Sequence, residues 1–276
     1  MALALILSSF VAASRIGGAA QQYVLAAHGI DPVLAPTVMF GRNPALGSQG
    51  QVTAPDVFAR MLGDIEADAI FGMVDLVITG HFSLPEQVEI AAGVLERVRE
   101  ASSRPPVMVV DPILGDAPGG LYVRPDVAKA VIARLVPLAD WLTPNLWELG
   151  HLAGEEITTA AGAVAAARRL GKPAVITSAP AGEGEIGVLY VDAHDATLFA
   201  HPRLPKGPKG TGDLVTASFG AGLVEGLTPL AAAERAARSA SQAVQAAQDW
   251  RQPELPIIAL GSQLVRPTAA LRIERL

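Results

Sequence analysis

The chain is 276 residues long, half of them apolar and 17% charged, with a net charge of −6 and no cysteine. That balance supplies material for a sizeable core and excludes disorder, disulfides, thiolate zinc sites and a cysteine nucleophile. The acidic surplus, with a pI near 5.4, argues against nucleic acid or an anionic membrane as partner, so an anionic substrate would need local donors to offset it.

Met1 to Leu7 is apolar enough for a signal peptide but lacks a basic region ahead of it and ends in Ser8-Ser9. A buried first strand, Ala2–Ser8, explains it better. The predicted order continues with helix Gly17–Ala27, strand Pro32–Met39, helix Pro55–Ile65, strand Leu76–Thr79 and helix Pro85–Glu100. Strand Val107–Val110 and helix Pro125–Leu135 follow, then strand Trp141–Leu142 and helices Leu146–Leu152 and Ala160–Leu170. Strands Ala174–Thr177, Gly187–Val191 and Thr197–Ala200 precede two closing helices, Leu214–Glu225 and Pro229–Trp250. Strands apolar on both faces, alternating with helices, predict a doubly wound α/β fold with a mostly parallel sheet and helices on both faces. No linker or repeat divides the chain, so one domain over 1–276 is expected. No other stretch reaches the ~18–20 apolar residues of a membrane span, and a soluble, cytoplasmic protein with no membrane partner is expected.

In such a fold ligands bind beyond the carboxyl ends of the strands. Those ends carry Ser8-Ser9, Thr79-Gly80-His81, Asp111-Pro112, Thr143-Pro144-Asn145 and Thr177-Ser178. Gly210-Thr211-Gly212-Asp213 follows a loop rich in Lys, Pro and Gly (204–209) and opens the helix Leu214–Glu225. Glycines there let a ligand approach the backbone, and the free N–H groups of a helix start favour an anion such as a transferring phosphoryl group. Asp213 adds a carboxylate able to take a proton from a substrate hydroxyl. Read singly, Asp213 is equally a helix-start acid, Asn145 a helix cap, Glu148 a solvated helix residue and Asp111 a turn acid. The chain has no GxxxxGK[ST] loop, and its five histidines show no metal-ligand spacing; only His81 sits on the predicted rim.

The set in order resembles a known family. Val110-Asp111-Pro112-Ile113-Leu114-Gly115-Asp116, Gly120 to Pro125, Leu142 to Leu149, Val175-Ile176-Thr177-Ser178 and Lys209 to Leu214 are similar to successive motifs of the pyridoxal kinases. These belong to the vitamin-kinase branch of the ribokinase superfamily. The resemblance implies a ribokinase-like fold and ATP-dependent phosphorylation of the 5′-hydroxymethyl group of pyridoxal, and also of pyridoxine or pyridoxamine. It implies Asp213 as general base, with Gly210, Thr211 and Gly212 cradling the γ-phosphoryl. Asp111 and Glu148 are implied to steer Mg²⁺, while Asn145, Thr177, Ser178, Lys209 and Thr211 hold ATP. Ser9 falls where the family's vitamer-contacting Ser stands. Asn43 and His81 stand where the family has a His and a Tyr around the ring, and Pro44 replaces a vitamer-contacting Thr. A homodimer is the family's common assembly. Two alternatives follow from the altered pocket: a hydroxymethylpyrimidine or other small heteroaromatic alcohol kinase, and a non-catalytic vitamer-binding protein. Asp213 stands where the pyrimidine kinases typically carry Cys. The intact Gly210–Asp213 string and the Asn145/Glu148 pair favour a kinase.

Overall fold

Alternating apolar and helical stretches build one large sheet with helices packed on both faces. The computed structural model describes residues 1–204 and 207–276; Pro205 and Lys206 of the Lys/Pro/Gly-rich loop lie outside the described residues. The first third contributes β1 (Leu3–Val11), α1 (Gly17–Ala27), β2 (Asp31–Phe40), β3 (Gln51–Val52), α2 (Pro55–Ala67), β4 (Leu76–Thr79) and α3 (Pro85–Ala101). Then come β5 (Val107–Val110), the hairpin of β6 (Gly115–Asp116) and β7 (Gly120–Leu121), α4 (Pro125–Ala130), β8 (Trp141–Leu142), α5 (Leu146–Ala153) and α6 (Ala160–Leu170). The chain ends with β9 (Ala174–Pro180), β10 (Glu185–Val191), β11 (Ala196–Pro202), α7 (Thr211–Val224), α8 (Pro229–Asp249), α9 (Ile257–Leu260) and β12 (Arg272–Arg275).

The main sheet has ten strands in the order β12-β11-β10-β9-β8-β5-β4-β1-β2-β3. Its centre, from β2 through β1, β4, β5 and β8 to β9, is parallel. β3 at one edge and β10, β11 and β12 at the other run antiparallel to their neighbours. Strand residues alternate between two cores: Leu5, Leu7, Val77 and Val110 face one, whereas Ala4, Ile6, Ile78 and Val109 face the other. A parallel strand buried on both sides must be apolar throughout, which is why no polar face interrupts these runs. α7 lies in the second core, with every residue from Leu214 to Gly222 buried.

Several elements depart from those predicted, among them the short α9, for which no helix was predicted. The helix predicted over Pro125–Leu135 is α-helical only to Ala130; Val131–Leu135 widens to a π-turn, and Val136–Leu138 closes as a 3₁₀ turn around Pro137. β3, the β6–β7 hairpin and β12 were not predicted, because two-residue strands and an exposed, charged edge strand carry no apolar pattern. His28, in the turn that ends α1, has a fully buried side chain whose Nδ1 lies 2.7 Å from Glu225 Oε1. Among the described residues, no helix is long and apolar enough to cross a membrane.

Candidate active site

The start of α7 sits at the carboxyl ends of the central strands. Gly210 precedes it with φ of +95° and no side-chain cap. Its first in-helix acceptor bond is Leu214 N–H to Gly210 O at 3.0 Å, so the N–H groups of Thr211 and Gly212 are spare donors at the positive end of the helix. Asp213 projects from this first turn into a cavity of about 120 Å³ that Asp111, Thr143, Asn145, Glu148, Thr177 and Gly212 also line. Burial pushes its carboxyl up to about 6, while the N–H groups of Gly17 and of Asp213 itself oppose the rise. Neither closes a regular hydrogen bond on Oδ1, which is buried without a partner. A carboxylate so placed is ionised near neutrality, more basic than usual, and has a lone pair free for an incoming hydroxyl.

Opposite it stand two more carboxylates. Asp111, at the end of β5, is only 5% exposed. Thr216 Oγ1 lies 3.0 Å from Asp111 Oδ2 and 2.9 Å from Thr143 Oγ1. One hydroxyl carries one proton, so Thr143 donates to Thr216 and Thr216 donates to Asp111. Burial, followed by the charges of Glu148 and Asp213, raises the Asp111 carboxyl well above its usual range. The next turn holds Ile113 at φ +40°, a left-handed conformation that strains a β-branched residue and that favours functional positions. Glu148 on α5 is pushed up to about 7, mainly by burial. Its Oε1 accepts the N–H of Leu114 at 2.8 Å and of Gly115 at 3.3 Å, and its Oε2 that of Asn145 at 2.9 Å. Asn145 Oδ1 accepts the Glu148 N–H at 2.9 Å, completing a capping box, and Nδ2 donates to Gly115 O at 2.8 Å. Asn145 is therefore a helix cap and a brace to the β6–β7 hairpin, with one amide proton left over.

Among the described residues, no three His, Asp or Glu side chains could hold a metal by themselves. Asp111 and Glu148 instead suit a cation that keeps several waters and takes its remaining ligands from a phosphate, as Mg²⁺ does. They fit on electrostatic grounds: two buried, mutually repelling carboxylates have no ion-pair partner among the described residues.

The other predicted positions spread around this centre. Thr177 lines the cavity and pairs in a parallel bridge with Asn145. Ser178, at φ +58° where the β9–β10 register shifts, is exposed and stands off the cavity wall. Lys209 is exposed, its ammonium 3.0 Å from Asp116 on the hairpin. Ser9, 7% exposed at the end of β1, lies against Gly17, where an added Cβ would meet its Oγ at 2.3 Å. His81 follows β4 with Nε2 3.3 Å from Ser83 Oγ, and burial pushes its imidazole down to about 4. Asn43 sits farther out, capping the 3₁₀ turn Pro44–Leu46 by accepting the Ala45 N–H at 3.0 Å, and does not line the cavity. Three contributors were given no role in the sequence reading, although Tyr122 and Thr143 lie within the motifs it quoted. Tyr122 lines the cavity, its phenol pushed up by burial and by the charge of Asp116; Thr216, braced by Thr143, tethers Asp111, and only the spacing of Thr216 three residues after Asp213 on one helix face pointed that way.

A family model described as phosphomethylpyrimidine kinase matches residues 22–257. A pyridoxine/pyridoxal/pyridoxamine kinase of Bordetella avium is 36% identical over 245 residues, covering 86% of this chain and 82% of its own. A pyridoxal kinase of Leifsonia xyli is 30% identical, covering 77% of this chain and 78% of its own. Among solved structures, Leishmania donovani pyridoxal kinase in complex with ADP and pyridoxamine superposes with a TM-score of 0.91 at 22% identity, over the whole of both chains. That likeness establishes the ribokinase-like fold, and the sequence matches establish the lineage: the chain is a kinase belonging to the pyridoxal kinases of the phosphomethylpyrimidine kinase family.

Proposed function

We propose that the chain transfers the γ-phosphoryl group of ATP to the 5′-hydroxymethyl group of pyridoxal, and of pyridoxine or pyridoxamine, with Asp213 as general base. The observation that carries the reading is the buried, unpartnered Asp213 Oδ1 beside the two spare N–H groups of Thr211 and Gly212. The substrate hydroxyl oxygen bonds to γ-phosphorus as its proton passes to Asp213. The bond from γ-phosphorus to the bridging oxygen breaks, and ADP leaves with that oxygen. Backbone N–H groups of Gly210, Thr211 and Gly212 stabilise the charge spread over the phosphoryl oxygens, an electrostatic contribution that phosphoryl transfer depends on. Asn145, through its remaining amide proton, and Thr177 bind the triphosphate, with Ser178 and Lys209 at its outer end. Ser9, His81 and, from the turn after β2, Asn43 shape the vitamer pocket.

Asp111 and Glu148 would hold Mg²⁺, Glu148 with both oxygens already accepting from three backbone donors. When bound, the ion would supply positive charge to offset that of the phosphates. The kinase names of the relatives and the acidic charge balance suit a cytoplasmic enzyme, and among the described residues no helix is long and apolar enough to cross a membrane; a homodimer is the assembly proposed, and light scattering tests it.

An ADP-release assay over a panel of B6 vitamers and a hydroxymethylpyrimidine tests the substrate. Asp213→Asn should fold, bind ATP and lose about 10²–10⁴-fold in turnover, because only the proton acceptor is removed. Turnover of the pyrimidine alcohol without any B6 vitamer would transfer the chain to the pyrimidine kinases, and near-normal kcat in Asp213→Asn would remove Asp213 from the mechanism.

A further inference from the structure

The turn between β1 and α1 is packed against the start of α7. A side chain on Gly210 would meet the Arg15 carbonyl oxygen at 2.3 Å, so turn and helix touch only because that position is glycine. Two residues on, Gly17 begins α1 at φ +60° and turns its N–H towards the Asp213 carboxylate. Backbone bonds tie the first half of the turn to the end of β2, Ala12 N–H to Phe40 O at 2.9 Å and Ala13 N–H to Gly41 O at 3.1 Å. The Ala12 and Ala13 side chains are exposed, and Ile16, the residue ahead of α1, offers the helix no side-chain cap.

The side-chain anchor of its second half, Ser14 and Arg15, lies 240 residues away in the sequence. Glu254, in the segment between α8 and α9, has both carboxylate oxygens 2.7 Å from the Ser14 hydroxyl, which is the donor. Its Oε2 also accepts the Arg15 N–H at 2.8 Å. Ser14 is 1% exposed. The Arg15 guanidinium lies over the Tyr23 ring, 5.0 Å from its centroid, and its Nη1 donates to Ser14 O at 3.3 Å. The carboxylate is thus committed to the turn's hydrogen-bond donors, each a charge-assisted contact stronger than a neutral one.

We propose that Glu254 is a positioning residue for phosphoryl transfer: by clamping Ser14 and Arg15 it sets the Gly17 N–H opposite Asp213 and the Arg15 carbonyl against Gly210. This rests on the reading of Asp213 as the base. Asp213 Oδ1 has no hydrogen bond of its own, so its aim depends on the groups packed around it. A displacement of about 1 Å in a catalytic group can cost on the order of 10²-fold in rate.

The test is steady-state and single-turnover kinetics on the full chain with pyridoxal and Mg·ATP. Glu254→Ala, Glu254→Gln and Ser14→Ala are made in the parent and in Asp213→Asn. Glu254→Ala should lower kcat about tenfold, with KM for pyridoxal and ATP within about twofold. Glu254→Gln, which keeps one acceptor oxygen, should recover most of that loss, and Ser14→Ala should show a smaller loss of the same kind. In the Asp213→Asn background none of the three should lower the rate further, because the group they act through is gone. Unchanged kcat in Glu254→Ala, a loss confined to KM, or a loss that multiplies fully onto that of Asp213→Asn would overturn the proposal. Should Glu254→Ala fail to fold, Glu254→Gln and Ser14→Ala decide it by the same comparison. Wild-type turnover in Asp213→Asn itself would remove the base, and the positioning proposal with it.

Discussion

Asp213, Asp111 and Glu148 are three buried carboxylates facing one cavity, each raised by loss of water. Leaving them unpaired is costly unless a ligand brings positive charge. Glu148→Gln keeps the shape and, with its one oxygen, either the capping box or the bonds from Leu114 and Gly115; it removes the charge, so it should raise the KM for Mg·ATP and flatten the Mg²⁺ titration of rate, with the vitamer KM changed less. An unaltered titration would leave Glu148 as a helix cap only. His81 presents the opposite case. Burial lowers its imidazole to about 4 from 6.5, so between those values the unfolded chain binds the proton and the folded one does not. Stability contributed by the neutral ring is present above pH 6.5 and is lost as pH falls towards 4, by up to about 3 kcal/mol. His81→Tyr should flatten that acid-side loss in urea titrations at pH 4.5 and 7. It should also lower the KM for pyridoxal through a larger stacking ring, leaving the KM for ATP alone. Equal pH dependence in the two proteins, or an unchanged vitamer KM, would contradict the account of His81.

The parallel strands were readable because burial on both faces demands continuous apolar runs such as Val107–Val110, which a sequence displays openly. α7 was readable at its start, where Gly210–Asp213 announces a helix end, though not by amphipathicity, since it is buried almost all round between the sheet and α8. Edge elements were hidden for the converse reason: β12 is exposed throughout and alternates charge with a single Ile273. Site residues at strand ends and helix starts (Asp111, Asn145, Thr177, Asp213) could be located from topology alone. Residues that act by tethering them could not. Thr216 is one turn into a buried helix, and Glu254 meets Ser14 only because α8 and the segment after it return to the β1–α1 turn. The Asn145–Glu148 box shows how one pattern can serve two ends, since the bonds that start α5 also fix the carboxylate that faces the cavity.

The two cores are separated by the sheet they share, and the site draws on both: α7 brings Asp213 from one, α5 brings Glu148 from the other. We infer that residues 1–276 form one cooperative unit, because strand residues alternate between the cores and neither can lose its packing while the other keeps the sheet intact. Tryptophans sit suitably to test this. Trp141 packs in the core of α7, 5.0 Å from the Phe219 ring centroid, whereas Trp147 packs against the other core and stacks on His151 at 5.3 Å. Trp250 is half exposed and can be replaced by Phe. Two variants, one retaining only Trp141 and one only Trp147, should each report a single thermal transition by fluorescence that coincides with loss of helix by circular dichroism. Because ADP would contact residues from both cores, saturating it to about 100 times its Kd should stabilise either variant by about 2.7 kcal/mol, a rise of roughly 5–10 °C in Tm for a chain of this size. Separate midpoints for fluorescence and circular dichroism within either variant, or a nucleotide shift seen by one tryptophan and not the other, would mean that the halves unfold independently.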